Sequence, residues 1–565
     1  MRAARPGGEG SGGDDHGLTV TRAAFLGLSA VVAARLAYLQ IFKHGDFSAA
    51  AESQTVNKMT LRAMRGTIYD RNGNALAMSV ECQTVYANPQ AVSDPSGVAE
   101  LLVSSLGGEK ADYMDLLTQD TTFVYLKRQV DQEVADELAD ELAARELTGV
   151  YFASDTKRVY PYGSTAAQIV GYVGTEGTGL SGLELYYEDD LVGTDGEMLM
   201  ETGLDGTPIA GGASQVTEAV DGTDLIISID VDLQEVCERV IKEAVETYEA
   251  ESGSVMVTDP RTGEVLAACS TPLPDFSDLD DASSLNLKLV TNAFEPGSLF
   301  KVLTTSIGIE AGLFTEDSVY HVPAQVLVGS DYVSDVDGRD YATDMTVREM
   351  LVRSSNTAIA QLAQDVIGAE TFAEGVERFG IGQTTGIDFP GEAAGIVRSP
   401  EDYDGSTLGS MAFGQGLAVP LVQIVRAFGA VANDGVPMTP HFLVYRGDEQ
   451  VEWPAGERVI SEGTVSQEID MMRGVMTEGS GTSGQVEGYD FAGKTGTGEQ
   501  ADENGGYRVG SYVSSLCAFA NADQPELLIY VGLNNTPYLS SGSAGMAFRE
   551  IATNAVSILG VSPTA

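Results

Sequence analysis

One apolar segment near the N-terminus constrains the folding of this chain more than any other feature. No charged residue occurs from Ala23 to Ala34, and after Arg35 the sequence from Leu36 to Phe42 is apolar apart from Gln40. The segment reaches about 20 residues, the length that a helix needs to cross a bilayer. Arg35 would then have to extend its charge to one interface. The sequence therefore predicts a transmembrane anchor over residues 18–42.

The flanking residues predict the orientation of this anchor. Arg2, Arg5 and Arg22 precede the apolar run, and positive charge there favours a cytoplasmic N-terminus. Residues 1–17, rich in glycine, aspartate and arginine, are expected to form a disordered cytoplasmic tail. A cleaved signal peptide and a buried helix of a soluble domain remain open as alternatives. An uncleaved, single-pass anchor would place the rest of the chain outside the cell membrane.

Length and charge narrow the class of protein further. The 565 residues suggest two to four domains at about 150 residues each. The chain has 83 acidic and 32 basic residues, a formal net charge of −51, which argues against nucleic acid or an anionic lipid surface as its main partner. The four cysteines are far apart and form no C-x-x-C pair. The sequence therefore indicates no disulfide framework, no metal site and no other cofactor.

Residues 43–250 are expected to form a non-catalytic α+β domain. Asn72-Gly73 lies between two β-prone runs and predicts a tight hairpin turn. Residues 45–64 and 97–147 have helical character, and an amphipathic helix is expected over residues 233–246. This domain would stand between the anchor and the rest of the chain.

Residues 251–565 are expected to form a second domain of the α/β class. It opens with a predicted hairpin over residues 254–269. Two segments of alternating pattern flank the turn residues Asp259 to Gly263. Several helices follow, and the C-terminal part predicts three strands and a last helix, over residues 490–498, 512–520, 527–533 and 545–559. This order of elements predicts an antiparallel sheet flanked by helices.

Ser298 and Lys301 form the first candidate reactive pair. Pro296 and Gly297 are typical of a turn and precede a potential helix from Leu299 to Ile309. An i to i+3 spacing in such a helix places the lysine amine beside the serine hydroxyl. Serine needs a neighbouring base, and a lysine that is desolvated or close to a second cation can supply one. The helix N-terminus would add N–H groups toward a developing oxyanion.

This pair has little specificity by itself, since Ser154 and Lys157 have the same spacing. Two later segments accompany it: Ser354-Ser355-Asn356, a break between predicted helices, and Lys494-Thr495-Gly496, within a predicted strand. In isolation, Asn356 is more often a helix cap than a ligand-binding group. The order of the three segments is what carries information.

Together, Ser298-x-x-Lys301, Ser354-x-Asn356 and Lys494-Thr495-Gly496 resemble the S-x-x-K, S-x-N and K-T-G signature of penicillin-binding proteins and serine β-lactamases. Two flanking segments, Glu295-Pro296-Gly297 and Phe413-Gly414-Gln415-Gly416, look like those of penicillin-binding proteins in particular. The resemblance implies a penicillin-binding/serine β-lactamase-like transpeptidase domain.

The N-terminal half narrows the resemblance. The segment Arg65-Gly66-x-Ile68-x-Asp70-Arg71-Asn72-Gly73 and the segment Gly179-x-x-Gly182-x-Glu184 are similar to the pedestal, or dimerisation-type, domain of class B, the monofunctional transpeptidases. Nothing in the chain resembles the glycosyltransferase domain of class A. The resemblance thus covers nearly the whole chain after Arg35.

The resemblance implies a peptidoglycan D,D-transpeptidase that cross-links stem peptides, releases D-alanine and is a target of β-lactams. Its expected place is cell-wall synthesis at the division septum. It also implies a membrane-embedded cell-wall polymerase and proteins of the division or elongation complex as partners. The alternatives are a D,D-carboxypeptidase or β-lactamase, with water as the acceptor, and a β-lactam-binding sensor or scaffold without catalysis.

The resemblance also implies a role for each matching residue. Ser298 would be the nucleophile and Lys301 its base, with the pKa of Lys301 held down by Lys494. Ser354 would pass a proton to the leaving amine, and Asn356 would hold the substrate backbone.

Three further residues follow Lys494 on the predicted strand. Thr495 and Thr497 would bind the substrate carboxylate, and the N–H groups of Ser298 and Thr497 would form the oxyanion hole. Gly496 would leave room for the substrate, which would add to the strand edge.

Overall fold

The computed structural model describes residues 14–43, 56–201, 214–276, 282–501 and 507–564. The chain divides into two units. The first comprises Met1–Ala63 and Thr194–Val220, and the second comprises Met64–Gly193 and Asp221–Ala565.

The first unit contains the apolar helix that the sequence predicts. It runs over Asp14–Ala37 and continues as a short π-helix over Tyr38–Phe42. Its part from Thr19 to Ile41 is long and apolar enough to cross a membrane. The helix begins at Asp14, within the stretch 1–17 that we expected to be disordered. Residues 1–13 lie outside the described residues.

The first unit also contains an antiparallel three-stranded sheet of Val56–Leu61, Gly196–Glu201 and Ser214–Thr217. Val56 pairs with Glu201 and Leu61 with Gly196. The helical character expected over residues 45–64 is therefore wrong for 56–61, and residues 45–55 lie outside the described residues. The hydrogen-bonding partner of this strand is remote in sequence, so local periodicity could not indicate it.

The second unit contains most of the described strands and helices. Its strands are Ile68–Tyr69, Ala75–Ala87, Val124–Asp131, Val150–Val159, Leu225–Ile227, Ser252–Thr258, Val265–Ser270, Ala293–Phe294, Val319–Val322, Gln325–Val328, Asp331–Ser334, Thr343–Thr346, Val419–Pro420, Leu443–Arg446, Glu449–Gln450, Phe491–Ala501, Tyr507–Ala520 and Leu527–Thr536. Its longer helices are Pro95–Leu106, Lys110–Leu117, Gln132–Ala144, Val231–Thr247, Lys301–Glu310, Ala369–Arg378, Leu421–Ala432, Glu462–Thr477 and Gly542–Ile558. Its shorter helices and helical turns are Pro89–Ala91, Ala167–Val170, Gly182–Tyr186, Glu188–Leu191, Ala282–Leu285, Lys288–Thr291, Gly297–Phe300, Val347–Val352, Asn356–Leu362, Ala363–Ile367, Pro400–Asp402, Thr407–Ala412 and Thr482–Gly484.

The central sheet of the second unit is five-stranded and antiparallel, which confirms the predicted architecture. Its strands follow the order Val265–Ser270, Ser252–Thr258, Leu527–Thr536, Tyr507–Ala520 and Phe491–Ala501. Helices Val231–Thr247 and Gly542–Ile558 cover one face, and helices Leu421–Ala432 and Glu462–Thr477 pack on the other. The hydrophobic core therefore lies on both sides of this sheet.

Helix Val231–Thr247 shows how the sequence produces one of these layers. Its buried residues Leu233, Cys237 and Ile241 recur at helical spacing, and they join one hydrophobic cluster with Val255 on the sheet. The expected boundary between residues 250 and 251 separates this helix from the sheet on which it packs.

A second, seven-stranded sheet joins strands from both halves of the sequence. Leu443–Arg446 pairs with Leu225–Ile227, which lies parallel to Ile68–Tyr69. Ile68–Tyr69 and Ala75–Ala87 form the predicted hairpin, and Gly73 adopts a positive φ of 85° in its turn. The helix expected throughout residues 97–147 is wrong over Val124–Asp131, which is a strand of this sheet.

A buried ion cluster lies in the N-terminal half of the second unit. The Glu184 carboxylate accepts from Arg65 Nε at 2.6 Å and from Arg158 Nε at 2.7 Å. Arg65 also pairs with Glu188, at 2.7 Å. We call Arg65, Arg158 and Glu184 the arginine–glutamate cluster. It ties together segments that are distant in sequence, and each guanidinium has an anionic partner.

Candidate active site

Ser298 lies on a tight helical turn, Gly297–Phe300, that leads directly into helix Lys301–Glu310. We call these two elements the nucleophile turn and the serine helix. Gly297 has a positive φ of 55°, and its N–H donates to Gly414 O at 3.0 Å. Gly414 has no room for a side chain, since a Cβ atom would lie 2.0 Å from Gly297 O. The glycines of the two flanking segments thus fix the turn against the loop at Gly414.

Lys301 lies one turn after Ser298 and is fully buried. Its Nζ donates to Asn356 Oδ1 at 2.7 Å, to Ser354 O at 2.6 Å and to Ser354 Oγ at 3.2 Å. Burial lowers the pKa of Lys301 well below its usual value, the charge of Lys494 lowers it further, and Asp335 opposes the shift. The lowered pKa favours the neutral amine, which is the form that can accept a proton.

Lys494 approaches the same hydroxyl from the sheet. Its Nζ donates to Ser354 Oγ at 2.9 Å and to Thr495 O at 2.9 Å. The side chain is fully buried, and this burial lowers the pKa of Lys494 to about 7. Ser354 Oγ thus accepts hydrogen bonds from both lysine amines, and its own proton is available to a third group.

The break at residues 354–356 has an unusual backbone. Ser354 adopts a positive φ of 56°, and helix Asn356–Leu362 begins directly afterwards. Its cap is Ser355, whose Oγ accepts from Ala358 N at 3.1 Å. Ser355 thus supplies the cap that Asn356 in isolation would favour, and the side-chain oxygen of Asn356 accepts from Lys301 instead.

A buried pair behind this break, Asp335 and Arg339, was not identified from the sequence. Asp335 accepts from Ser355 Oγ at 2.9 Å and from Thr357 N at 3.0 Å, and it lies 3.0 Å from Arg339 Nη2. Burial alone would raise the pKa of Asp335, but the hydrogen bonds from Thr357, Ser355 and Arg339 together lower it. The pair fixes the backbone that presents Ser354 and Asn356. Its only signal in the sequence is an i, i+4 spacing of opposite charges.

Strand Phe491–Ala501, which carries Lys494, is at one edge of the five-stranded sheet. Thr497 is partly exposed, whereas Thr495 is 2 % exposed and its hydroxyl contacts Ser480. A Cβ atom on Gly496 would lie 2.3 Å from Ser515 Oγ and 3.5 Å from Leu299 Cγ. The lack of a side chain at Gly496 therefore makes room for Ser515 of the neighbouring strand, and the room that we expected it to leave for the substrate stays a prediction.

The structure thus brings the three motifs together. Lys301 contacts the second motif, Lys494 contacts the same serine, and the nucleophile turn packs on the edge strand. Within the described part of the chain, no group of three or more histidine, cysteine or acidic side chains could hold a metal ion. The arrangement suits acyl transfer to a serine by proton transfer among amines and hydroxyls.

Comparison with protein families agrees with this arrangement. Residues 253–553 match the model of the penicillin binding protein transpeptidase domain, and residues 60–227 match that of the penicillin-binding protein dimerisation domain. The two models together cover most of the chain.

Individual proteins resemble the chain along most of its length. It is 31 % identical over 547 residues to the probable peptidoglycan D,D-transpeptidase PenA of Neisseria meningitidis, covering 95 % of this chain and 92 % of that protein. The crystal structure of a putative peptidoglycan glycosyltransferase from Atopobium parvulum is 43 % identical, with a TM-score of 0.71, and covers 90 % of this chain and 100 % of that one. The crystal structure of penicillin binding protein 3 from Mycobacterium tuberculosis, complexed with aztreonam, is 28 % identical to this chain with a TM-score of 0.69. The match covers 90 % of this chain and 98 % of that one.

Proposed function

The chain belongs to the class B penicillin-binding proteins, and from this premise we propose that it acts as a peptidoglycan D,D-transpeptidase through an acyl-enzyme on Ser298. The observation that carries the proposal is the position of Ser354 Oγ between two buried amines, at 3.2 Å from Lys301 and 2.9 Å from Lys494. Such a hydroxyl can relay a proton between a base and a leaving group.

In the acylation step, Ser298 Oγ forms a bond to the carbonyl carbon of the penultimate D-alanine of a stem peptide. The amine of Lys301 takes the serine proton in its neutral form, which the lowered pKa of Lys301 favours. The bond to the terminal D-alanine then breaks, and its amine receives a proton through Ser354 Oγ. In the second step, the amine of another stem peptide attacks the acyl carbon, and the bond between this carbon and Ser298 Oγ breaks. The proton that the amine loses returns through Lys301 to Ser298 Oγ, and the cross-link is complete.

Substrate binding is assigned to the edge of strand Phe491–Ala501. An edge strand has backbone groups that an extended peptide can pair with as an added strand. Thr497 is partly exposed on this strand, and its N–H is assigned to the oxyanion hole together with that of Ser298. Thr495 is assigned to the substrate carboxylate, sharing its hydroxyl with Ser480. A β-lactam would occupy the same edge and acylate Ser298.

The apolar helix of the first unit supports a proposal for where the enzyme lies in the cell. Helix Asp14–Ala37 is proposed as a single-pass anchor with the catalytic part outside the cell membrane. Its partners would be a membrane-embedded cell-wall polymerase and other proteins of the division complex, and the length and pedestal of the chain favour the septal role. Within the second unit, we propose that the catalytic domain starts with helix Val231–Thr247, because this helix packs on the central sheet.

The experiment that tests the function is acylation by a fluorescent penicillin, with mass spectrometry to locate the adduct. We expect one adduct, on the peptide that contains Ser298, and no labelling of a Ser298→Ala variant. Release of D-alanine from a synthetic pentapeptide donor, with incorporation of an added amine acceptor, then separates transpeptidation from hydrolysis. A covalent adduct on another residue, or labelling that persists in Ser298→Ala, would contradict the proposal.

A further inference from the structure

A wide groove of about 850 Å³ lies on the second unit beside helix Ala369–Arg378, which we call the groove helix. The segment 381–403 forms its other wall, and none of the proposed catalytic residues lines it. Its floor is largely apolar, formed by Ala373, Val376, Ile381, Val397 and Tyr403. Its size is in the range of ligand-binding clefts.

The rims of this groove carry unpaired negative charge. Glu370, Glu374 and Glu377 lie at i, i+4 and i+7 on the groove helix, and Glu401 lies on the opposite wall. All four are exposed, and none forms a salt bridge with another residue of the described ranges. Arg398 also lines the groove, but its guanidinium pairs with Asp404 at 3.3 Å. The groove thus combines an apolar floor with two acidic edges.

The groove helix, which forms one wall of the groove, packs against the hydrophobic core on its inner face. Phe372, on the inner face of the groove helix, is fully buried, and its ring centroid lies 6.3 Å from that of Phe300, the last residue of the nucleophile turn. A Cβ atom on Gly375 would lie 2.4 Å from Ile307 of the serine helix. Because the two helices pack this closely, this wall of the groove is preformed and an occupant need not order it.

We propose that this groove binds a basic amphipathic helix of a partner protein. Apolar side chains of such a helix would cover the floor, while lysine or arginine side chains on its flanks would pair with the two acidic rims. A second copy of this chain does not fit, because its 83 acidic against 32 basic residues would bring negative charge to a negative rim. Anionic lipid is repelled for the same reason, and a small polyamine would leave the apolar floor uncovered.

The test is binding of a defined probe to the full chain in nanodiscs of zwitterionic lipid. The probe is a fluorescein-labelled peptide of about 14 residues, with leucine and lysine at helical spacing, and its binding is followed by fluorescence anisotropy. We expect the triple variant Glu370→Lys, Glu374→Lys, Glu377→Lys to weaken binding by at least about tenfold. Ala373→Trp, which fills the floor without changing the charge, should weaken it by a similar factor.

The chain offers a matched control on another helix. Glu133, Glu137 and Asp140 have the same i, i+4, i+7 spacing and are also exposed, on helix Gln132–Ala144. Changing all three to lysine alters the net charge by the same amount, and we expect the affinity to change by less than about twofold. Thermal unfolding of every variant checks that it is folded.

Three outcomes would overturn the proposal. Equal weakening by the two triple variants would mean that the probe responds only to the overall acidity. Unchanged binding to a folded Ala373→Trp variant would mean that the floor is not the site. Self-association of the wild type that Ala373→Trp abolishes would identify a second copy as the occupant. None of these measurements requires acylation of Ser298, so their results test the groove independently of the proposed function.

Discussion

Two buried charge clusters in the second unit use burial in opposite ways. In the arginine–glutamate cluster, the Glu184 carboxylate lies within 2.7 Å of both Arg65 and Arg158. In the candidate active site, the fully buried amines of Lys301 and Lys494 converge on one neutral hydroxyl, and neither forms a salt bridge with a described carboxylate. The paired charges connect distant segments of the chain, whereas burial of two amines without an anion lowers the pKa of each and favours their neutral, reactive forms.

The largest expected effect comes from removing one of the two buried amines of the candidate active site. We expect Lys301→Met to slow acylation by a fluorescent penicillin by about 10² to 10⁴-fold, because Ser298 loses its base. The melting temperature should stay the same or rise, since a buried amine without a counter-ion costs stability. Stopped-flow labelling and thermal unfolding measure the two quantities. A variant that melts much earlier would show that this amine has a structural role like that of the other cluster.

The opposite result is expected when the paired cluster is broken. Glu184→Gln leaves the buried Arg158 guanidinium without an anion and leaves Arg65 with Glu188 alone. We therefore expect the free energy of unfolding to fall by about 3 to 5 kcal/mol. Labelling per folded molecule should be unchanged. Denaturant unfolding with parallel labelling checks this, and Glu188→Gln, which removes a more exposed carboxylate paired to Arg65, should cost only about 1 kcal/mol or less.

A smaller effect concerns pH. Burial lowers the pKa of Lys494 from its ordinary value of 10.5 to about 7, so the unfolded chain binds more protons than the folded chain between these values. The free energy of unfolding should therefore rise as pH increases from 7, with Lys494 contributing about 2 kcal/mol by pH 9. In Lys494→Met, the free energy of unfolding should rise less steeply with pH because this contribution is missing. Replacement of the exposed Lys242 by methionine should leave the pH dependence as in the wild type. Equal slopes in wild type and Lys494→Met would mean that the buried amine is not titrating.

The smallest effect tests the support behind the site. Asp335→Asn keeps the shape of the side chain but weakens its bonds to Ser355, Thr357 and Arg339. We expect acylation to slow by about tenfold through loss of positioning. Asp340→Asn, in the same loop but exposed, provides the control. If the two variants acylate at the same rate, the break at residues 354–356 keeps its shape without the buried carboxylate.

The sequence predicted the parts of the site that depend on order along the chain. Ser298, Lys301, Ser354, Asn356 and Lys494 were chosen because three short motifs follow one another, and the structure places four of their side chains in direct contact. Asp335 and Arg339 could not be found in this way. They lie in a turn-rich segment where an aspartate and an arginine four residues apart are expected to be exposed.

The fold was predictable where a pattern is local and not where pairing is remote. The hairpin at Gly73 and the amphipathic helix Val231–Thr247 follow from turn chemistry and periodicity. Val124–Asp131 was taken as helix because helices flank it, although alternate residues are buried on one face. The strand Val56–Leu61 gains its stability from a segment far along the chain, so its local composition is not decisive.

The seven-stranded sheet has a practical consequence for anyone who wishes to excise the catalytic half. A fragment that starts at residue 251 would lack helix Val231–Thr247, so the face of the five-stranded sheet on which Leu233 and Ile241 pack would be exposed to water. It would also leave Leu443–Arg446 without Leu225–Ile227 beside it, an open edge that invites aggregation. Soluble material should therefore be sought by removing the N-terminal helix alone, with both halves of the second unit kept on one polypeptide.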